Sequence, residues 1–296
     1  MADLKRILKT LRATQPLNFV TTSVVRALSG LGGGAPEVVI RHLHRMGPVN
    51  ARLPNGRRLK LWSRADDWVS NQVFWRGWAG YEPETVPIFF ERAKRARLIL
   101  DVGAYVGFYS LLAAHANPQA RVLAFEPFAP SFERLQRNVT LNGLANVRCV
   151  PVALGEHDAS ATLFHGAVDL PCGSSLSPQS PADPDLVGSA VTVRALDGWL
   201  DAAGLEGVDL VKIDTETTEP EVLRGMKKVL ARDRPDVFCE VLEGRGTGPA
   251  LEEILGPIGY RYYLLTDAGP QERATIAGDA RYLNYLFSAK ALGGCA

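Results

Sequence analysis

The chain predicts a doubly wound α/β fold with a mostly parallel sheet. Three observations carry that expectation. From Leu98 onward, short apolar runs alternate with stretches of helical length. The first run, Leu98-Ile-Leu-Asp-Val102, opens into a turn punctuated by Gly103 and Gly107 and then an apolar helix. The next run, Arg121-Val-Leu-Ala-Phe-Glu126, ends in an acid. Strands joined by helices of this length cross over in parallel, with helices covering both faces.

Taken in order, Leu4, Ile7, Leu8 and Leu11 fall at helical spacing and predict a helix over 4–12. Phe19, Val24, Val25 and Leu28 predict another over 17–29, and Gly30 to Pro36 reads as a linker. Val49 to Trp62 reads as a hairpin turning at Asn55-Gly56. Trp68, Phe74, Trp75, Trp78 and Tyr81 follow closely, and then a helix over 83–95. The alternating part runs as strand 98–102, helix 108–116, strand 121–126, helix 131–141 and strand 147–154. Strands over 159–164 and 191–193 flank a Pro/Ser/Gly/Asp-rich insertion at 166–189. The alternation resumes with strand 208–214, helix 220–230, strand 237–241, helix 249–255 and strands 260–265 and 283–288. Only a loop separates the last two strands, which predicts an antiparallel pair at one edge. The division expected is a basic helical arm (1–36), a hairpin and aromatic-rich helical extension (37–96), and the main domain (97–296).

Bulk properties narrow the class. The 296 residues are 46% hydrophobic and 22% charged, ordinary for a globular chain. No apolar run reaches the ~18–20 residues that span a bilayer, and no secretory leader pattern is present, so a cytoplasmic location is expected. The four cysteines, Cys149, Cys172, Cys239 and Cys295, are scattered, which argues against a zinc site or a disulfide framework. The net charge of +1 hides an asymmetry: residues 1–60 hold eleven Lys/Arg and two acids. A basic arm on an acidic body suits an anionic partner, either a membrane surface, a phosphorylated carrier or a second copy of the chain, or it is a solvated helix face.

The glycine turn lacks the middle glycine of a dinucleotide fingerprint and carries Asp101 before its first glycine. A carboxylate there repels a pyrophosphate and favours the cationic amino group or sulfonium of S-adenosylmethionine. Gly103 and Gly107 allow close backbone approach, and Glu126 suits a ribose diol.

With these residues in place, the chain resembles the FkbM family of S-adenosylmethionine-dependent methyltransferases over about residues 78–288. The resemblance rests on Asp101-Val-Gly-Ala, Ala124-Phe-Glu-Pro127, Arg137-Asn-Val-Thr-Leu-Asn-Gly143, Pro151-Val-Ala-Leu-Gly155, Leu196-Asp197, Val211-Lys-Ile-Asp-Thr-Glu216, Glu219 and Glu221-Val-Leu-Arg-Gly225. It implies a class I methyltransferase (Rossmann-like) fold with a seven-stranded sheet, and methylation of a hydroxyl group. Carried over by position, Asp101, Gly103, Ala104, Tyr105 and Gly107 shape the methionine and ribose end of the cofactor site. Glu126 and Pro127 take the ribose side, Phe128 flanks the adenine, and Val152 and Ala153 meet it from the third strand. Tyr81 and Glu82 match a Tyr-Glu pair that precedes the first strand in the family. The chain departs from the family at Tyr105, where Asn is usual, and at Thr217, where glycine is usual. A β-branched residue resists positive φ, so the loop after Glu216 is expected to change shape.

An alcohol must lose its proton as the new bond forms, so a carboxylate or imidazole is needed within reach. Asp214 and Glu216 stand at a strand end and, two residues apart, point the same way. Glu240 ends the next strand, and Lys212 stands two residues before Asp214 to pair with a carboxylate or orient the acceptor. His165 is an alternative base or a solvated loop residue. Ser174 and Ser175 resemble a substrate-proximal loop. Trp78, with Tyr81, either stacks on a sugar or adenine face or roofs the sheet as core. No metal is expected, because the three acids lack a histidine and a recognisable ligand spacing; the alternative is magnesium, for which Asp214, Glu216 and Glu240 together offer hard oxygen ligands. The expected acceptor is a sugar hydroxyl in a glycan or glycosylated metabolite. The alternatives are a polyketide or peptide hydroxyl, or a degenerate domain that only binds. Nucleic acid is not expected as a partner, since the block that grips a base amine is absent after the fourth strand. A homo-oligomer is left open.

Overall fold

A computed structural model describes residues 14–31, 34–166, 170, 174–176 and 186–292. The helix expected over 4–12 and much of the insertion lie outside the described residues. The chain divides into two compact units, 1–82 and 83–296.

In the first unit, helix α1 (Gln15–Leu31) precedes a short helix α2 (Glu37–His42). Strands β1 (Met46–Arg52) and β2 (Arg58–Arg64) pair antiparallel from Met46↔Arg64 to Arg52↔Arg58, as the Asn55-Gly56 turn requires. Val49, Ala51, Leu59 and Leu61 form its buried face. Helix α3 (Trp68–Arg76) follows, capped by Asp67 accepting from Ser70 N at 2.6 Å. The sequence reading missed α2, which lies beyond the glycines of the expected linker, while α3 falls in the extension expected to be helical. The unit holds together through side-chain bonds to backbone: Asn18 Nδ2 to His44 O at 2.9 Å, and Asn71 Nδ2 to Ile40 O at 2.7 Å. Asn18 Oδ1 also accepts from Met46 N at 2.7 Å, so Asn18 ties α1 to the start of the hairpin while Asn71 ties α3 to α2, and residues 1–36 fall in one compact unit with the hairpin.

The second unit begins with helix α4 (Val86–Ala93), whose Phe89 packs edge-on against Tyr109 and Phe238. Then come β3 (Leu98–Val102), α5 (Phe108–Ala116), β4 (Arg121–Phe125), α6 (Ala129–Asn142) and β5 (Val147–Val150). β6 (Ala153–Leu154), β7 (Ala159–Gly166) and β8 (Leu186–Arg194) follow, and then α7 (Leu196–Ala203) and β9 (Leu210–Ile213). The last part runs α8 (Glu219–Arg224), α9 (Lys227–Arg232), β10 (Asp236–Glu240), α10 (Gly248–Leu255), β11 (Arg261–Thr266), β12 (Gly269–Arg273) and β13 (Asn284–Ser288).

The central sheet has eight strands in the order β12-β11-β13-β10-β9-β3-β4-β5. β5, β4, β3, β9 and β10 are parallel, and β13 runs antiparallel between β10 and β11. This is the class I methyltransferase arrangement, doubly wound with one reversed strand, extended by an edge strand. The reading of seven strands missed β12. It is a polar run, Gly-Pro-Gln-Glu-Arg, without apolar alternation, and its exposed charged residues suit a sheet edge. β11 and β13 are the expected antiparallel pair, but β12 takes the edge.

The expected strand 147–154 is two strands in two sheets. Pro151 has no N–H to continue the ladder. β5 therefore stays with β4, and β6 joins β8 in a separate sheet ordered β6-β8-β7. β8 starts at Leu186, inside the expected insertion, and pairs with β7 from Gly166↔Leu186 to Ala159↔Val193. The expected helix 220–230 breaks at Gly225, where a Cβ would overlap the Gly155 carbonyl oxygen. The second half restarts as α9, with Asp197 accepting from Lys228 N at 2.9 Å and Val229 N at 3.1 Å.

Candidate active site

β3, β4, β9 and β10 end together, with Val102 opposite both Phe125 and Ile213, and Ile213 opposite Cys239. Chain order reverses between β3 and β9, and open α/β sheets bind ligands at such a crevice. The predicted acids Asp101, Glu126, Asp214 and Glu240 all lie on this edge.

Beyond β3 the chain makes a tight loop. Gly103 and Ala104 both donate backbone N–H to Phe125 O at 3.0 Å, and Gly107 N donates to Ala104 O at 2.7 Å. Gly103 has φ 78, and a Cβ there would overlap the Asp214 carbonyl oxygen, so only glycine fits between the two loops. Tyr105 takes φ 49, a conformation in which Asn is commoner. Its N–H donates to Glu126 Oε2 at 2.7 Å, and its hydroxyl donates to Leu170 O at 3.2 Å.

The two cradle acids are buried. Asp101 is 2% exposed and accepts from Ser110 Oγ at 2.5 Å. Burial pushes its carboxyl up from near 3.8 to about 6, against the pull of the Ser110 hydrogen bond and the Lys212 charge. Glu126 is 6% exposed, with Oε1 accepting from Phe128 N at 2.8 Å. Burial pushes it up to about 7, against its two backbone N–H donors from Phe128 and Tyr105. Pro127 is half-buried and Phe128 is buried. Val152 is half-buried where the chain leaves the main sheet, and Ala153 is buried at the start of β6.

Asp214, Glu216 and Glu240 converge, each offering an oxygen within 4.8 Å of the others. That spacing admits a divalent cation. Lys212 is 1% exposed. Its Nζ donates to Asp214 Oδ2 at 3.1 Å and to Asn284 Oδ1 at 3.3 Å. Asn284, opposite Glu240 in the β10–β13 register, is a site residue the sequence reading missed. It arrives on a reversed strand seventy-two residues from Lys212, and nothing in the local pattern marks it.

The Thr217 expectation is corrected. Glu216 takes φ 55 and Thr217 φ 91, so the loop keeps a left-handed conformation without its glycine. Glu219 holds it there: Oε1 accepts from Thr215 N at 3.2 Å, Thr215 Oγ1 at 3.1 Å and Thr217 N at 3.0 Å. Glu219 is 2% exposed, and burial raises its pKa. A β-branched residue at this φ costs about 1–3 kcal/mol. Thr217→Gly is therefore expected to stabilise the chain by about 1 kcal/mol, or roughly 2–4 °C in thermal unfolding. An unchanged or lower midpoint would show that the threonine is unstrained.

His165 is not a solvated loop residue. It is 8% exposed on β7, with Nδ1 2.9 Å from Gly166 O and Nε2 2.8 Å from Ser189 Oγ. Its ring lies 4.4 Å from that of Phe128, beside the Glu126 end of the crevice and not among the converging acids. Ser175 is buried, and its Oγ donates to Glu216 O at 2.5 Å, while Ser174 is half-buried. Ser175 thus braces the Glu216 loop. Trp78, Tyr81 and Glu82 are half-buried at the end of the first unit, with Glu82 at φ 44.

Comparison with known proteins identifies the family. Methyltransferase sdnD of Sordaria araneosa is 30% identical over 190 residues, covering 55% of this chain and 73% of the relative. 2-O-methyltransferase NoeI of Sinorhizobium fredii strain NGR234 is 27% identical, covering 46% of this chain and 60% of the relative. Hexuronic acid methyltransferase AglP of Haloferax volcanii is 24% identical, covering 50% and 58%. Residues 101–262, from the first cradle acid to the start of β11, match the Methyltransferase FkbM domain, and the chain belongs to that family of methyltransferases.

Proposed function

We propose that this methyltransferase transfers the methyl group of S-adenosylmethionine to a hydroxyl of a sugar, in a glycan or a glycosylated metabolite. The observation that carries the reading is the Lys212–Asp214 pair, set beside two further carboxylates at the edge of the glycine cradle. The names of two relatives, a 2-O-methyltransferase and a hexuronic acid methyltransferase, support oxygen as the acceptor atom and a sugar as its carrier.

The cradle residues fit the cofactor chemically. Asp101 and Glu126 are buried carboxylates whose charged forms lack solvation. A cationic amino group or sulfonium and a pair of ribose hydroxyls supply the missing cation and donors. Bound there, the cofactor supplies an already activated methyl group, so the protein has mainly to align the acceptor and exclude water. Lys212 holds Asp214 Oδ2 and so fixes the carboxylate plane. Asp214 Oδ1 accepts no hydrogen bond among the described residues, and the side chain is 23% exposed. That oxygen is placed to take the acceptor's hydroxyl proton. Ser175 and Glu219 keep the loop around it in one shape.

The test is product detection. The purified chain, S-adenosylmethionine and a panel of sugars, uronic acids, and polyketide and peptide alcohols are assayed for demethylated cofactor and O-methyl product, with magnesium and with a chelator. A methylated sugar hydroxyl supports the reading, and transfer confined to a non-sugar alcohol replaces it with the tailoring alternative. Cofactor binding without transfer to any acceptor favours a binding module. Activity abolished by the chelator and restored by magnesium would make the three acids a ligand set.

The raised pKa values give a pH prediction. Below about pH 6 both cradle acids are largely protonated in the free protein, and they ionise as the pH rises through about 6 and 7. The donors of the cofactor favour the ionised forms. Cofactor affinity is therefore expected to rise between pH 5.5 and 8, with protons released on binding near pH 6.5. Calorimetry in buffers of different ionisation enthalpy reads that release directly, and a pH-independent affinity would remove both acids from the cofactor.

A further inference from the structure

The N-terminal unit contains a cavity lined by none of the residues of the crevice described above. It measures about 440 Å³ and is lined by Ser23, Arg26 and Gly30 of α1, by Arg45 and Asn50, and by Phe74 of α3. That volume lies in the range of small-ligand sites. Its charge is one-sided, with two arginines and no acid.

Arg45 is 5% exposed. Its Nη1 donates to Phe19 O and Thr22 Oγ1 at 2.7 Å and to Ser23 Oγ at 2.9 Å, while its buried Nε has no hydrogen-bond partner. Arg26 and Arg45 hold their guanidinium carbons 4.8 and 5.1 Å from the centre of the Phe74 ring. Neither has an ion-pair partner among the described residues. Burial lowers the pKa of both, and for Arg45 the neighbouring Arg26 charge lowers it further. Two cations held at one ring, one with an unused buried donor, are costly unless an anion completes the set.

The same helix exposes an apolar ridge. Leu17, Val20, Val24 and Leu28 recur at three- to four-residue spacing and are 40–64% exposed, and Val38 of α2 is also exposed. Ala27, which lines the cavity, lies between Val24 and Leu28 in the chain. No described helix is long and apolar enough to cross a membrane. A surface helix with an apolar ridge beside a cationic pocket matches the two zones of a lipid interface, acyl chains and phosphate.

We infer that the N-terminal unit docks on a membrane surface, with the Arg26–Arg45 cavity taking the phosphate of an anionic lipid and the Leu17–Leu28 ridge resting in the acyl boundary. Guanidinium forks suit phosphate oxygens, and the ridge makes a lipid the carrier of that phosphate.

Flotation of the full chain with vesicles tests this. Phosphatidylcholine vesicles containing phosphatidic acid are expected to bind it about tenfold or more tightly than phosphatidylcholine alone. Arg26→Gln should weaken that binding about fivefold, and Val24→Ser with Leu28→Ser about tenfold. Arg26 and the two ridge residues are not buried, so these variants should fold, which circular dichroism confirms. Methyl transfer to a soluble acceptor should be unchanged in Arg26→Gln. Equal binding to both vesicle types, no binding to either, or full binding by Arg26→Gln would overturn the inference. So would glycerol 3-phosphate saturating the cavity without any vesicle attachment, which would make a soluble phosphate ester the occupant.

Discussion

Asparagine in place of Asp214 is expected to lower turnover by about 10²–10⁴-fold while leaving cofactor affinity within about threefold. The amide keeps the size of the carboxylate. Its oxygen can still accept from Lys212 Nζ, which donates to Asp214 Oδ2 at 3.1 Å, so the buried lysine keeps its partners and the fold is retained. The change falls on the other position. In the wild type Oδ1 is an acceptor open to the cleft, and in the variant an NH₂ group stands there and cannot receive a proton. Single-turnover rates with saturating cofactor measure the chemical step, and calorimetry measures affinity. Near-normal turnover would pass the proton-accepting role to Glu216 or Glu240, the acids within 4.8 Å. Lost affinity and lost turnover together would mean that the variant had disturbed the Gly103 loop, which packs against the Asp214 carbonyl.

The parts of the site legible in the sequence are those built from a few consecutive residues with an unusual conformational demand. The Asp101–Gly107 turn and the acid closing β4 belong to this class, because a strand end, a left-handed glycine and a buried acid each leave a local mark. The alternating core was equally legible from Leu98 onward. Contacts brought together by topology were not. Asn284 reaches Lys212 only because β13 runs against β10, and Ser175 reaches the Glu216 carbonyl across forty-one residues. Thr217 shows a different limit. Local preference opposed positive φ, and three hydrogen bonds to one buried Glu219 oxygen override it. His165 shows the same limit in burial: its place just before the insertion suggested a loop, and hydrogen bonds at both ring nitrogens let a strand hold it. The split between β5 and β6 was signalled by Pro151, yet which sheet would take Ala153 and Leu154 depends on β8, some forty residues on.

Glu126→Ala is expected to weaken cofactor binding by about 1.5–3 kcal/mol, roughly 10- to 150-fold, with kcat at saturating cofactor little changed. Two losses combine. The ribose hydroxyls lose a charged acceptor, and the Tyr105 and Phe128 N–H groups lose the oxygens that hold them at 2.7 and 2.8 Å. The second loss loosens the cradle, since Tyr105 sits at φ 49 against its own preference. Glutamine does not rescue this site. One end of its amide is a donor, and whichever way it turns it meets a backbone N–H. Glu126→Gln should therefore fall close to Glu126→Ala, well below wild type. Stability supplies an independent readout of sign. The folded-state pKa of Glu126, about 7, lies above its usual 4.5, so the native chain binds the extra proton and this group's contribution to stability falls as the pH rises from about 4.5 to 7. In either variant that part of the decline should vanish, making the unfolding free energy of the cofactor-free chain less pH-dependent across that window. A variant that keeps both the slope and the affinity would show that the carboxylate at the tip of β4 neither feels its burial nor meets the cofactor.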